Sequence, residues 1–149
     1  MADRGSRALT ALGTSLGALG RRVADPALRA VTAPPVARAG AALATQAARL
    51  WGRMLGGEER RVGDLHVVTG LPTWAFGRGG TTVGATYLTA ASDSPEVLEH
   101  EQVHRQQWRR YGLWFIPMYV AAGAEATENR FEIEAGLVAG GYLPKHRQR

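Results

Sequence analysis

Five consecutive residues, His100-Glu101-Gln102-Val103-His104, carry the clearest chemical signal in this sequence. Residues four apart on an α-helix lie on the same face, so both imidazoles can reach a single cation. Imidazole nitrogen is a common ligand of zinc. Glu101 lies close to the same face, where its carboxylate can hold a water molecule and accept its proton. The spacing therefore predicts a zinc site on a helix, with Glu101 as the catalytic base.

The residues around this motif predict a helix of about four turns. Ser94 is a favourable N-cap, Pro95 suits the first helical position, and Gly112 can take the left-handed conformation that ends many helices. The face expected to be buried follows a spacing of three or four: Val97, His100, Glu101, His104, Trp108 and Tyr111. The opposite side carries Glu99, Gln102, Gln106 and Arg109.

A catalytic zinc site takes three protein ligands and leaves one position for water. The two other histidines, His66 and His146, lie in a strand-like stretch and in the polar tail. A downstream acidic run is the better source of a third ligand, and it contains Glu128 and Glu132 one helical turn apart. Spacing leaves both open. The alternative for this run is a solvated helix start with a capping box, in which Asn129 is the cap.

These motifs together resemble the gluzincins, the HExxH zinc peptidases whose third ligand is a glutamate on a later helix. Several such families show an E-x-E-A pattern there, and this sequence reads Glu-Ile-Glu-Ala from Glu132. The ending is also similar to that of small uncharacterised bacterial peptidase-like domains. The resemblance covers residues 62–142 and implies Glu132 as the third zinc ligand. Many members carry an aspartate that braces a motif histidine where this sequence has Gly136.

The resemblance implies a zinc-dependent hydrolase that cleaves peptide bonds, with His100, His104 and Glu132 as metal ligands. Glu101 would take a proton from the attacking water and return it to the leaving amine. A donor for the developing oxyanion is also required. The sequence offers four candidates for that donor: Tyr111, Tyr119, Tyr142 and His146.

Composition restricts the class of protein. The chain has 149 residues, of which 45% are hydrophobic, as expected for one globular domain with an extension. It contains no cysteine, which excludes a disulfide framework, a thiol nucleophile and a cysteine-bound metal. Neither a secretory leader nor an apolar run long enough to span a membrane is evident. A cytoplasmic or peripheral membrane location is therefore expected.

The first sixty residues are predicted to be an Ala/Arg-rich helical extension of a zincin-like domain at residues 61–149. The net charge of +5 belongs to this part, because residues 1–61 hold ten arginines against four acidic residues. Two apolar seams are separated by a Pro-Pro pair: Leu9, Leu12, Leu16, Leu19 and Val23, then Val36, Ala39, Leu43, Ala47, Leu50 and Met54. Such seams pack against another helix, so a helical hairpin is predicted.

The role of this extension is open between a scaffold packed on the rest of the chain and a membrane- or partner-binding helix pair. Nucleic acid is not indicated as a partner, because no aromatic interleaving accompanies the basic charge. The alternative to a peptidase is accordingly an interaction protein. In that case the zinc is structural or absent, and the N-terminal helices contact a membrane or a partner.

The stretch before the motif helix favours a sheet of about three strands. Strand composition occurs at residues 62–68, 73–76 and 81–89, and the Gly-Arg-Gly-Gly run at 77–80 is a turn signal. An α+β fold is thus expected, in which a helical hairpin, a small sheet, the motif helix and a Glu-bearing helix follow one another. By the resemblance, Thr82 to Leu88 is a candidate for strand-wise peptide binding, and a packing strand without a ligand is the alternative.

Overall fold

The structure is a computed structural model, and it describes residues 26–144. Within this range the fold is mixed α+β, as predicted, with four helices and a four-stranded sheet. The helices are α1 at Pro34–Met54, α2 at Pro95–Tyr111, α3 at Phe115–Ala121 and α4 at Arg130–Ala135. Residues 26–31 are also helical. The first helix of the predicted hairpin, over residues 9–23, lies outside the described residues.

The sheet is built from two hairpins. Its strands are β1 at Glu58–Val62, β2 at Leu65–Thr69, β3 at Thr81–Val83 and β4 at Thr86–Leu88. The first two strands pair antiparallel, as do the last two, and β2 pairs with β4 in parallel. The resulting order is β1-β2-β4-β3, so β3 forms one edge of the sheet.

Three details of the predicted sheet are wrong, and glycine accounts for two of them. The single strand predicted at 62–68 is interrupted by a turn at Gly63, and that at 81–89 by a turn at Gly84. Both glycines have a positive φ, which suits tight hairpin turns. Residues 73–76 contain a 3-10 turn, Thr73–Ala75, in place of a strand. The stretch from Thr82 to Leu88 therefore includes an edge strand and an interior strand.

Helix α2 begins and ends where the sequence predicts. The Ser94 side chain accepts a hydrogen bond from the amide of Val97, Pro95 is the first residue, and Gly112 ends the helix with a φ of 59°. The inner face is buried at four positions of the predicted stripe: His100, Glu101, His104 and Trp108. The motif residues thus face the protein interior.

Helix α1 packs with a different face from the one predicted. Its buried residues are mostly small: Ala37, Ala44, Thr45, Ala48 and Gly52. The predicted seam is exposed instead, with Val36 at 51%, Leu43 at 63%, Leu50 at 59% and Met54 at 71% of full exposure. Small residues allow close approach: a Cβ on Gly52 would lie 2.8 Å from the Val68 side chain. Periodicity alone does not distinguish this stripe of small residues from the larger apolar stripe beside it.

Helix α1 and the motif helix share a hydrophobic core. Ala44 packs in one cluster with Trp108, Phe115 and Phe131, and Ala48 packs in another with Val68, Leu71 and Leu88. The described part of the N-terminal extension is therefore part of the same packed body as α2. None of the described helices is long and apolar enough to span a membrane.

Gly112 is expected to be a sensitive glycine of this packing. A Cβ there would lie 2.7 Å from the Cα of Ala37, at a φ of 59° that side chains rarely adopt. We expect Gly112→Ala to lower the free energy of unfolding by about 2–5 kcal/mol, from strain and overpacking together. Gly56→Ala is the control, because Gly56 also has a positive φ but open space around it. Urea denaturation measures both, and equal losses would contradict the close contact.

Candidate metal centre

Two helices bring three potential metal ligands together. His100 and His104 lie one turn apart on α2, and Glu132 lies on α4. All three side chains are buried. Gln107 holds the helices together, because its side-chain amide donates hydrogen bonds to the Phe131 carbonyl at 3.0 Å and to the Glu134 carboxylate at 2.9 Å. The buried amide of Gln107 thus holds the helix that carries Glu132 against the motif helix.

The spacing of the ligand atoms fits one small cation. The Nε2 atoms of His100 and His104 are 3.0 Å apart. The Glu132 carboxylate lies 3.1 Å from the first of them through Oε2 and 3.4 Å from the second through Oε1. Bonds of about 2.0–2.2 Å at tetrahedral angles separate ligand atoms by about 3.3–3.6 Å, so the two shorter distances would widen by a few tenths of an ångström around a metal. Among the described residues, these are the side chains arranged to hold a metal ion.

The Glu132 carboxylate has one buried oxygen without a hydrogen-bond partner among the described residues. Its Oε2 atom is buried and forms no hydrogen bond with any described residue, although it is within ion-pair distance of His100. Leaving a buried charged oxygen without a hydrogen bond costs free energy. A cation between the carboxylate and the imidazoles would satisfy this oxygen and both Nε2 atoms. The donor set, two imidazoles and a carboxylate, is one that suits zinc.

Both histidines are held with Nε2 facing the site. The Nδ1 atom of His100 lies 3.1 Å from the Gly136 carbonyl oxygen, and that of His104 lies 2.8 Å from Gln107 Oε1. Both partners accept hydrogen bonds, so both Nδ1 atoms donate, and Nε2 is the nitrogen that would bind a metal after losing its proton. Gly136 therefore braces a motif histidine through its main chain, at the position where many gluzincins carry an aspartate side chain.

Glu132 is ionised at neutral pH, and this state favours metal binding. Burial alone would raise its pKa, but the neighbouring imidazoles of His100 and His104 and the Tyr119 hydroxyl hold it well below its usual range. Tyr119 donates a hydrogen bond to Glu132 Oε1. Burial and this carboxylate raise the pKa of Tyr119, so its hydroxyl stays protonated and continues to donate. Glu132 is accordingly an oriented anion at neutral pH.

Loss of the Tyr119 hydroxyl is expected to weaken metal binding. Tyr119→Phe removes the donor that orients Glu132, and such partners of a ligand are typically worth about 10–100-fold in metal affinity. Tyr111→Phe is the matched control, because Tyr111 stacks on Phe115 and lies outside the cleft. Competition with a chromophoric zinc chelator measures both dissociation constants. Unchanged affinity in Tyr119→Phe would show that this hydrogen bond does not support the ligand.

Glu101 lies beside these ligands and is held by the edge strand. Its Oε2 accepts a hydrogen bond from the Thr82 hydroxyl at 2.7 Å. Trp108 Nε1 donates to the Thr82 carbonyl at 2.9 Å, which ties β3 to α2. Burial raises the pKa of Glu101, although His104 and the Thr82 hydroxyl oppose this change. A carboxylate with a raised pKa is a better proton acceptor near neutral pH.

The other acidic candidates lie apart from this cluster. Glu128 and Glu125 are exposed in the turns before α4, and Glu134 accepts from Gln107. Asn129 caps α4 through the Phe131 amide, as the capping-box alternative expects. The second half of that box is absent, because the Asn129 amide donates to the Glu125 carbonyl and the Glu132 side chain faces the histidines.

The remaining histidines are placed as follows. His66 Nδ1 lies 2.9 Å from Glu59 in the β1–β2 hairpin, within a cluster that includes Arg49 and Arg53. His66 is therefore engaged in a surface ion-pair network and is separate from the motif histidines. His146 lies outside the described residues.

A cleft with a volume of about 550 Å³ opens onto the cluster. One wall is formed by β3 and the loop of residues 77–80, and another by α3. Tyr142 lines the cleft with its ring centroid 6.0 Å from that of His100. Burial, followed by the charges of Glu132 and Glu101, raises the pKa of Tyr142 to about 12, so its hydroxyl is a donor at neutral pH.

The sequence-based prediction gave no role to Gln107 and did not connect Thr82 with Glu101. Gln107 could have been found, because it lies three residues after His104 and so faces the same way on the helix. Thr82 carried no comparable signal, since its contact with Glu101 depends on how the sheet edge packs against α2.

Comparison of the chain with protein-family models, curated proteins and solved structures gave no match. Functional inference therefore depends on the geometry of the site.

Proposed function

We propose that this chain is a zinc-dependent, peptidase-like hydrolase of the gluzincin type. His100, His104 and Glu132 would hold the metal, and Glu101 would be the catalytic base. The observation that carries the proposal is the convergence of three buried side chains, whose ligand atoms approach one another at 3.0–3.4 Å, beside the buried carboxylate of Glu101. When bound, zinc supplies Lewis acidity to a carbonyl group and lowers the pKa of water.

Proton transfer is assigned to Glu101. The Thr82 hydroxyl occupies Oε2, so Oε1 is the oxygen that accepts the proton of the attacking water. The same carboxyl group then returns that proton to the leaving amine, which makes it base and acid in turn. The hydrogen bond from Thr82 keeps the carboxylate at one orientation during both transfers.

Tyr142 is the best of the three candidate oxyanion donors that lie within the described residues. Tyr119 already donates to Glu132, and Tyr111 packs against Phe115 away from the cleft. Tyr142 lines the cleft next to His100 and remains protonated at neutral pH. A protonated phenol at this place can donate a hydrogen bond to the charge that develops on the carbonyl oxygen.

An extended peptide fits the edge of the sheet. Among the residues that the structure describes, no strand lies on the outer side of β3, and β3 lines the cleft. The Thr82 carbonyl is already used by Trp108, so the chain before Thr82 is left to pair with a substrate backbone. This restricts the peptide-binding stretch of the sequence-based prediction to its first residues and the loop before them.

Metal content and hydrolysis test the proposal together. The full chain is loaded with zinc, dialysed and analysed for metal, then incubated with casein and with a mixed peptide library read by mass spectrometry. We expect one zinc per chain and new peptide termini that disappear on chelation and return with added zinc. A chain that takes up no zinc under these conditions would overturn the proposal.

A second candidate function is contact of α1 with a membrane surface. We propose it because the apolar seam of α1 is exposed and borders a groove of about 660 Å³ that also includes Leu113 and Trp114. This groove carries no catalytic group. Exposed arginines lie on the same helix at Arg38 and Arg53. An apolar stripe flanked by arginines is suited to an anionic lipid surface.

Vesicle sedimentation tests this second function. We expect the chain to bind vesicles that contain phosphatidylserine, and a Leu43→Gln, Leu50→Gln double variant to bind at least about tenfold more weakly. The control is Ile133→Gln, because Ile133 is similarly exposed but lies on α4. Equal binding of the double variant and wild type would exclude this face as the lipid contact.

A further inference from the structure

Arg78 is the one arginine or lysine among the described residues that line the cleft. It lies in the loop of residues 77–80 that leads into β3. Its side chain is exposed, and it forms no hydrogen bond or ion pair with another residue in the described range. The two acidic residues nearest to it in sequence, Asp64 and Asp93, are already paired, with Arg105 at 3.1 Å and with Arg60 at 2.7 Å. The guanidinium is thus available to a ligand.

The loop that carries Arg78 is held in place on both sides. The Gly77 amide donates to the Thr81 hydroxyl at 2.9 Å, and the Thr89 hydroxyl donates to the Gly79 carbonyl at 2.7 Å. Gly80 lies so close to the Tyr87 ring that a Cβ would be 2.4 Å from it. These contacts fix the backbone beside Arg78. The entropic cost of ordering the Arg78 side chain on a ligand is therefore lower.

The cleft changes in character from one end of β3 to the other. The loop with Arg78 enters β3 at Thr81, whereas Val83 at the other end packs with the Phe115 cluster. Ile116 and Val120 continue this apolar end and are both largely exposed in the cleft wall. Glu101 contacts the middle residue of β3, so the catalytic group lies between a basic end and an apolar end.

We propose that Arg78 selects substrates with a carboxylate on the side of the scissile bond nearest the start of β3. The opposite side of the scissile bond would carry an apolar side chain, which packs against Ile116 and Val120. This inference rests on the proposed peptidase function and specifies its substrate class. The carboxylate can come from an acidic side chain or from the C-terminus of a peptide, because guanidinium pairs with either.

Peptide binding to the zinc-treated full chain carrying Glu101→Ala, which prevents turnover, tests the role of Arg78. Three fluorescein-labelled peptides share one apolar segment: one contains Glu and a C-terminal amide, one Gln and the amide, and one Gln and a free C-terminus. Fluorescence anisotropy at low salt gives their dissociation constants. We expect one carboxylate peptide to bind about three- to tenfold more tightly than the neutral one, as for a solvent-accessible charged hydrogen bond. The tighter of the two carboxylate peptides identifies the source.

Variants of Arg78 complete the test. Arg78→Gln should remove the preference, Arg78→Lys should retain part of it, and Arg109→Gln, on the outer face of α2, should leave it unchanged. Equal binding of all three peptides, no binding of any, or a preference that survives Arg78→Gln would overturn the inference. Zinc uptake and hydrolysis without such a preference would support the peptidase function and contradict the role of Arg78. The preference without zinc uptake would contradict the peptidase function and support a carboxylate-binding site at Arg78.

Discussion

Replacing Glu101 by Gln is expected to reduce peptide hydrolysis by about 10²–10⁴-fold while the chain keeps one zinc ion. The amide has the shape of the carboxylate and can still accept the hydrogen bond from the Thr82 hydroxyl. It cannot take a proton from water, however, so the proton-transfer step loses its base. The measurements are kcat/KM on the best peptide from the library and zinc per chain.

Glu99→Gln is the matched control for this variant. Glu99 lies two residues earlier on the same helix and is exposed, so the same loss of charge should leave both hydrolysis and zinc content unchanged. If Glu101→Gln retained full activity with its zinc in place, another group would have to be the base. If both variants lost activity equally, the charge of the helix would matter and the position of Glu101 would not.

Removal of the Glu132 carboxylate is expected to abolish stable zinc binding. Glu132→Gln leaves two imidazoles where a catalytic site needs three protein ligands, and we expect the zinc dissociation constant to rise by about 10²-fold or more. The thermal stabilisation of the wild-type chain by zinc should disappear with it. That stabilisation is about 4 kcal/mol when free zinc exceeds the dissociation constant by about 1,000-fold.

Glu128→Gln separates the two ligands that spacing alone leaves open. Glu128 is exposed in the turn before α4, so its loss should change neither the zinc dissociation constant nor the melting temperature at saturating zinc. The reverse pattern, with zinc lost in Glu128→Gln and retained in Glu132→Gln, would assign the third ligand to the other glutamate. Calorimetric titration and thermal unfolding with and without zinc measure both variants.

The motif helix could be predicted from the sequence because its signals are local. The Ser94 cap, the proline after it and the glycine at the end act within a turn or two of the helix. The i and i+4 spacing of the histidines also fixes their common face without reference to the rest of the chain. The convergence of Glu132 on that face required the packing of α4 on α2, and the resemblance to gluzincins supplied this expectation where spacing could not.

The sheet and the packing of α1 were less accessible to prediction. Gly63 and Gly84 interrupt runs of strand-forming residues, and composition alone did not show that each run folds back on itself. On α1, the larger apolar residues form the stronger periodic signal, yet the smaller residues are buried because the helix approaches Val68 and Leu113 closely. The shape of the surface against which α1 packs decides which stripe faces inward. That surface is formed by residues far from α1 in sequence, so the sequence of the helix does not reveal it.

The contact of the Gly136 carbonyl with His100 has a consequence for how such sites are recognised. A brace made by the main chain leaves no acidic residue in the sequence at this position, and the φ of 97° at Gly136 favours glycine there. Gly140 adds to the same enclosure, since a Cβ on it would lie 2.6 Å from the His100 ring. A search that requires an acidic side chain at this position would pass over this chain, although the imidazole has its hydrogen-bond partner. Where the expected acidic side chain is missing, a main-chain carbonyl can therefore hold the histidine in its place.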